Sequence, residues 1–336
     1  IGLGIPAEPL FRSSIDDFCF SFKDDNGRRI DPKVQQDSQE FYNNFCDKIE
    51  KKLEKTKYKY IINDIFTGKT CSTITCKSCK YISNKFEDFY NLQLEVKNIK
   101  NLNESLQKLI TPETIEGYRC SSCKQEVTIQ KRTTLYKLPN TLIVHLKRFC
   151  MNYDYGITEK INTRFEFPMV INLKSFCVEN FQNKTDEIYY KNEDYYKYIL
   201  KGVNVHLGDA NGGHYISLID VDRNGTGNIM RIPKKNEKPN WLVFNDSSLS
   251  EFNLRDIESE CFGNSSKCAY LLIYEKVKKT PIKIVIEDKY ISKDNNNIIK
   301  YNKESLNKIN EKYDIYKINN QFKEEDLYNL IFYNRI

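Results

Sequence analysis

Four cysteines fall into two close pairs, Cys76-Lys77-Ser78-Cys79 and Cys120-Ser121-Ser122-Cys123, with about 40 residues of strand-like sequence between them. A Cys-x-x-Cys step folds back so that both sulfurs point inward, and two such knuckles complete a tetrahedral, all-thiolate shell for Zn²⁺. With sulfur at all four positions the ion is structural, because no position stays open for catalysis. The competing readings are coincidental cysteine doublets and redox-active dithiols. Two pairs, both between strands, favour the metal. Tyr118 and Lys124 flank the second knuckle.

The chain has only three histidines. His214 lies in Asn211-Gly212-Gly213-His214-Tyr215, where two glycines remove bulk just before a His that starts a strand. Such a site lets an extended ligand pass close to the backbone while the imidazole reaches a reacting atom. About 30 residues on, the strand Trp241-Leu242-Val243-Phe244 ends in Asn245-Asp246-Ser247-Ser248. A carboxamide or carboxylate at that strand end can orient the imidazole by accepting its Nδ1 proton, as the third member of a Cys-His-Asn/Asp arrangement. Alone, Gly-Gly-His is a weak signal. His145 and His206 sit inside apolar runs and read as structural or ligand-lining.

The elements that must hold these groups follow from periodicity. Phe41, Phe45, Ile49 and Leu53 step by four, predicting an amphipathic helix with a buried stripe, and Asp37 with Glu40 gives it an acidic first turn. Strands are expected at 60–62, at 72–75 and over 86–96, the last alternating from Tyr90 to Val96. A short helix is expected over 102–110, capped by Asn103. From Val127 onward the chain reads as mostly β, with strands at 142–146, 198–207, 213–221, 241–245 and 269–274. Residues 179–197 and 223–239 read as surface loops, 278–291 as holding one more strand, 294–297 as a polar linker, and 303–336 as one or two helices. Turn formers surround the apolar patch Phe18-Cys19-Phe20 in residues 1–34.

Composition bounds the class. The 336 residues are 40% apolar and 29% charged, which suits a packed core with a solvated surface and excludes whole-chain disorder. The net charge of +6, from 52 basic and 46 acidic residues, is too weak a bias for a nucleic-acid binder. Apolar runs fall far short of the roughly 20 residues that span a bilayer. The first residues, Ile1-Gly2-Leu3-Gly4-Ile5-Pro6, do not form a secretory signal. Eleven cysteines, an odd number, point to metal ligands or reduced thiols in a cytoplasmic or nuclear protein. Position 1 is not Met, so upstream sequence is expected.

Taken in order, the motifs resemble the catalytic domain of the ubiquitin-specific proteases, papain-like cysteine peptidases that remove ubiquitin. Gln35-Gln36-Asp37-Ser38-Gln39-Glu40-Phe41 resembles the family's helix start. Ile65-Phe66-Thr67-Gly68 with the two knuckles resembles its zinc-bearing fingers. Leu138-Pro139-Asn140-Thr141-Leu142 through His145-Leu146-Lys147-Arg148-Phe149, followed by Phe165-Glu166-Phe167-Pro168, resembles a palm signature. The His box is similar over 198–215, the Asn/Asp box over 241–248, and the closing strand over 269–274. The match spans roughly residues 9–277.

The resemblance implies an α+β, papain-like fold with a partial helical thumb (1–64), zinc-ribbon β fingers with the four-cysteine site (65–132), a β palm carrying the His and Asn/Asp boxes (133–277), and a C-terminal extension (278–336). It implies thiol-dependent hydrolysis of the isopeptide bond at the ubiquitin C-terminal glycine. His214 would be the general base, Asn245 its orienting partner and Asp246 a supporting polar residue. An Asn there keeps the geometry but forgoes a charge beside the imidazolium. Asp37 and Glu40 would grip the basic tail of ubiquitin, although helix capping alone also accounts for them, and Gly212, Gly213 and Tyr215 would border the substrate. Ubiquitin and ubiquitinated proteins are the implied partners, with no membrane or nucleic acid, and Zn²⁺ the implied structural ion.

One part of the family pattern is missing. No Asn-x-x-Cys-type box at a helix N-terminus occurs; Cys19 lies between acidic and aromatic residues, which raise a thiol pKa, and Cys46 lies inside the helix that begins near Asp37, not at its start. In the family that box precedes the Gln-Gln-Asp motif, so the nucleophile is expected upstream of Ile1 and the fragment alone is expected to be inactive. A catalytically inactive ubiquitin-binding pseudo-protease is the alternative. A zinc-ribbon nucleic-acid binder is disfavoured because Glu87, Asp88 and Glu126 dilute Lys77, Lys80, Lys85 and Lys124 around the knuckles.

Overall fold

A computed structural model describes residues 22–23, 27–28, 36–181, 191–221, 241–246 and 248–282. The chain divides into two compact units, Ile1–Tyr42 and Asn43–Ile336. In the first, the rings of Phe22 and Phe41 meet at 5.3 Å. The patch at 18–20, the strand expected at 278–291 beyond position 282, the loop at 223–239, the linker at 294–297 and the helices at 303–336 lie outside the described residues.

Helix α1 (Ser38–Leu53) forms where the four-residue step predicts it. Its residues Phe41, Phe45, Ile49 and Leu53 are only half-buried, however, and Cys46 is the residue fully inside. The run 60–62 is helical instead of extended: it opens α2 (Ile61–Ile65), with the Asp64 and Phe66 N–H groups donating to the Tyr60 and Ile62 carbonyls. Three apolar residues fit one buried turn of helix as well as a strand, and the turn that follows α1 decides between them.

Two sheets make up the second unit. The four-stranded sheet has the order β2-β1-β5-β4, from β1 (Gly68–Cys76), β2 (Ile82–Phe89), β4 (Glu113–Arg119) and β5 (Glu126–Lys137). The larger sheet runs β13-β12-β11-β10-β14-β6-β3, and β9 (Val170–Asn172) also pairs with β10. Its strands are β3 (Asn91–Glu95), β6 (Thr141–Lys147), β10 (Lys197–Gly208), β11 (Gly213–Asp220), β12 (Trp241–Asn245), β13 (Ser248–Glu251) and β14 (Lys267–Lys276). A separate hairpin joins β7 (Phe149–Asn152) to β8 (Ile157–Lys160). The single strand expected over 86–96 is therefore two, divided at Tyr90 and shared between the sheets.

One face of the large sheet carries Leu142, Val144, Leu146, Val203, Val205 and Leu272 into a continuous apolar core. Against it packs α3 (Leu102–Ile110), burying Leu102, Leu106 and Ile110. Its cap is Asn101, not Asn103: the Asn101 side chain accepts from Glu104 N–H, and the Glu104 carboxylate accepts from the Lys100 N–H. That reciprocal closure needs a Glu three residues after the cap, which only Asn101 has. A short α4 (Ile257–Cys261) precedes β14. Among the described residues no helix is long and apolar enough to cross a membrane.

Candidate active site and metal centre

The two knuckles are near copies. Cys76 ends β1 and Cys120 follows β4; in each, the first Cys carbonyl accepts from the N–H of the Lys four residues later, Lys80 at 3.0 Å and Lys124 at 2.9 Å. Both lysines take left-handed backbone, with φ of 62° and 61°. The turns aim Cys76, Cys79, Cys120 and Cys123 at one point, with all four sulfurs within 4.8 Å of one another. The Cys79 and Cys120 sulfurs are 3.8 Å apart. Metal–sulfur bonds of about 2.3 Å in a tetrahedron place sulfurs about 3.8 Å apart, so the donor set fits one ion and is compatible with zinc.

The electrostatics agree. Backbone N–H of Tyr81 leads the effects that lower the Cys79 thiol to about 6. The Gln125 N–H also pulls on Cys123, but burial and the sulfurs of Cys120 and Cys79 outweigh it and push that thiol up to about 11. Four thiols cannot all ionise side by side without a cation, and a divalent ion removes that conflict.

At one end of the large sheet, His214 is the second residue of β11. Antiparallel pairing sets Ser217 opposite Phe244 and Leu218 opposite Val243. One step on, Asn245 reaches the level of Ile216, and His214 shares a face with Ile216. The result is a contact of 2.6 Å between His214 Nε2 and Asn245 Oδ1. A carbonyl oxygen only accepts, so Nε2 carries the proton and a neutral imidazole keeps its lone pair on Nδ1. This reverses the expectation that Nδ1 would face Asn245. Asp246 Oδ2 lies 3.8 Å from the same Nε2, on a side chain 81% exposed, and its φ of 48° turns the chain into β13.

The glycines before His214 have a packing reason. A Cβ on Gly213 would sit 2.2 Å from the Leu207 carbonyl oxygen and 2.3 Å from His206 Nε2. Gly208, at φ +105°, faces it across the turn. Asp209 closes that turn, its carboxylate accepting from the N–H groups of Asn211 at 2.8 Å and Gly212 at 3.2 Å. The sequence reading missed Asp209, although an Asp two residues before Asn-Gly is a turn signal. Tyr215 and His206 stack edge to face at 4.8 Å within a ring cluster that includes Phe149, Tyr270 and His145. Both histidines that read as structural or ligand-lining, His145 and His206, pack in this cluster.

Asp37 and Glu40 belong to the first unit. The Asp37 carboxylate accepts from the N–H groups of Gln39 at 2.8 Å and Glu40 at 3.0 Å, so Asp37 caps α1. The remaining described cysteines have other settings: Cys46, Cys71, Cys177, Cys261 and Cys268 are buried, and Cys150 lies half-buried in β7.

Comparison with known proteins identifies the family. The family model for ubiquitin carboxyl-terminal hydrolase matches residues 16–274. Human ubiquitin carboxyl-terminal hydrolase 34 is 31% identical over 259 residues, 73% of this chain but 7% of that protein. Mouse ubiquitin carboxyl-terminal hydrolase 24 is 31% identical over 253 residues, 69% of this chain and 9% of that protein. The chain thus spans less than a tenth of these relatives. Among solved structures, the SAGA DUB module Ubp8/Sgf11/Sus1/Sgf73 bound to monoubiquitin has a chain that matches with a TM-score of 0.56 and 27% identity, covering 72% of this chain and 48% of that one. The same module bound to ubiquitin aldehyde matches at 0.55 and 25%, covering 72% and 49%. The chain belongs to the ubiquitin carboxyl-terminal hydrolase family, in its papain-like, ubiquitin-specific protease form.

Proposed function

We propose that the protein is a cysteine-type deubiquitinase that hydrolyses the isopeptide bond at the ubiquitin C-terminal glycine, with His214 as general base, Asn245 as its orienting partner and Asp246 in support. The contact between His214 and Asn245 carries the reading, because it leaves Nδ1 as the basic nitrogen. The nucleophilic Cys is expected in the family's Cys box, upstream of Ile1, since each described cysteine is buried, in the metal cluster or in the β7–β8 hairpin. Without that box the chain would bind ubiquitin but not cleave it.

In the proposed reaction the thiol passes its proton to Nδ1 and the thiolate attacks the glycine carbonyl. The imidazolium then returns the proton to the departing lysine amine, leaving an acyl-enzyme. Water, deprotonated by the same nitrogen, releases the ubiquitin carboxylate and regenerates the thiol. Asn245 keeps Nδ1 aimed throughout. Asp37 and Glu40 offer carboxylates to the basic ubiquitin tail, and Gly212, Gly213 and Tyr215 border its path. Zn²⁺ held by Cys76, Cys79, Cys120 and Cys123 would be structural. The reading places the protein in the cytoplasm or nucleus, where thiols stay reduced.

The test is ubiquitin bearing a C-terminal electrophile, added to protein extended at least about 60 residues upstream of Ile1. A covalent adduct on an upstream Cys, with turnover lost in His214→Ala while ubiquitin binding persists, is expected. Binding without an adduct would identify a pseudo-protease.

A further inference from the structure

Lys160 ends the β7–β8 hairpin, and its ammonium reaches three backbone carbonyls: Ser266 at 2.6 Å, Gly208 at 2.9 Å and His206 at 3.2 Å. An ammonium has three N–H groups, and all three are used. The acceptors are not scattered. His206 and Gly208 end β10, Ser266 leads into β14, and the Gly208 N–H donates to the same Ser266 carbonyl at 3.1 Å. Across the β10–β11 ladder, Leu207 pairs with His214 and Gly208 with Gly213. The Lys160 ammonium therefore clamps the residues on either side of the one paired with His214. The hairpin is anchored there a second time, by the Phe149 ring against His206 at 5.3 Å.

We propose that Lys160 is a positioning residue for His214: its three hydrogen bonds fix the end of β10 and thereby hold the imidazole on Asn245. Burial pulls the Lys160 pKa down, which is the cost of placing a cation inside the sheet end. A Lys at this place contributes register. An apolar side chain would leave three carbonyls without their shared donor and free the Gly208–Gly213 turn to shift. The inference rests on reading His214 as the general base, but the clamp itself can be tested without turnover.

Two readouts are needed. The first is the His214 ring signals in NMR spectra of the chain, assigned by their loss in His214→Gln. The second is kcat and KM on ubiquitin carrying a C-terminal fluorophore, using protein that includes the upstream Cys box. Lys160→Met is expected to move and broaden the His214 signals and to lower kcat about tenfold with little change in KM. Lys160→Arg, which keeps donors, should recover most of both. Leu106→Ala, a core truncation in α3, supplies comparable destabilisation and should leave the His214 signals in place. The proposal is overturned if Lys160→Met leaves the signals unchanged, or if Leu106→Ala moves them equally. Should Lys160→Met not fold, Lys160→Gln is read the same way, and collapse of both overturns it too, since the clamp would then hold the fold and not the imidazole. If wild type turns over no ubiquitin conjugate while the ring signals still respond to Lys160, the functional reading fails and the positioning role stands.

Discussion

His214 and Asn245 meet through Nε2, at 2.6 Å, because β11 and β12 pair in a register that brings Asn245 level with Ile216, two residues along the same face from His214. Neither residue is placed by a loop of its own. Both sit at the end of a ladder whose inner residues, Leu218 and Trp241, are buried in the core, so the pair takes its precision from the sheet.

Asn245→Ala removes the acceptor that fixes the imidazole. The expected result is a fall in kcat of about 10²-fold with ubiquitin affinity unchanged. Asn245→Asp presents an oxygen to the same N–H and should keep most of the activity. Asp246→Ala, acting from 3.8 Å on an exposed side chain, should cost less than Asn245→Ala. Steady-state kinetics with a ubiquitin fluorophore checks all three, and wild-type kcat in Asn245→Ala would remove Asn245 from the mechanism.

The metal should matter to one sheet and not the other. Around the knuckles the only apolar cluster among the described residues is small, with Val127 and Ile129 beside Cys76 and Cys120, whereas the large sheet has an extended core. So little burial gives that end of the sheet few contacts of its own, and an ion bound by the four thiolates would supply the rest. Native mass spectrometry should find one zinc per chain. Chelation, or Cys79→Ser, should speed amide exchange in β1, β2, β4 and β5 near the knuckles while β10 and β14 stay protected. Uniform exchange with and without metal would count against the site.

Gly213→Ala tests whether the glycine serves the packing. The new methyl would meet the Leu207 carbonyl and the His206 ring at 2.2 and 2.3 Å, closer than atoms approach. Backbone or ring must move, at about 1–3 kcal/mol, and His214 follows in the next position. Thermal melting should drop and kcat should fall together. Gly212→Ala provides the comparison, since Gly212 lies outside the β10–β11 ladder.

Much of this was legible in the sequence, for physical reasons that also explain the gaps. Central strands such as β6 and β14 carry nearly continuous apolar runs, and two Cys-x-x-Cys pairs have few other uses. The break at Tyr90 left only a faint trace, a change of phase where Phe89 and Tyr90 stand side by side and regular alternation begins. What divides the strands is tertiary: β2 and β3 join different sheets, and the Tyr90 hydroxyl between them donates to the Glu50 carboxylate. The choice of Nε2 over Nδ1 depends on strand register, which no single segment encodes. The role of Lys160 depends on β8 meeting the ends of β10 and β14, far away in sequence. The cap of α3, by contrast, was readable, because Glu104 stands three residues from Asn101 and not from Asn103.

Lys276 should give the fold a pH dependence at the alkaline side. Its side chain is buried at the end of β14, donates to the Leu138 carbonyl at 2.7 Å, and lies 4.0 Å from the centre of the Tyr195 ring. Burial, with Lys191 nearby, lowers its pKa from 10.5 to about 7. Between those values the unfolded chain holds the proton and the folded chain does not, so stability rises with pH, by at most about 1.4 kcal/mol per unit. Below about pH 7 both states are protonated and the gain is absent. Lys276→Met fills the same space without a titrating group. Urea midpoints measured from about pH 6 to pH 10 should therefore show wild type gaining on Lys276→Met as pH rises above about 7. Parallel curves would mean that the ammonium keeps its proton in the fold, held by the Leu138 carbonyl and the Tyr195 ring.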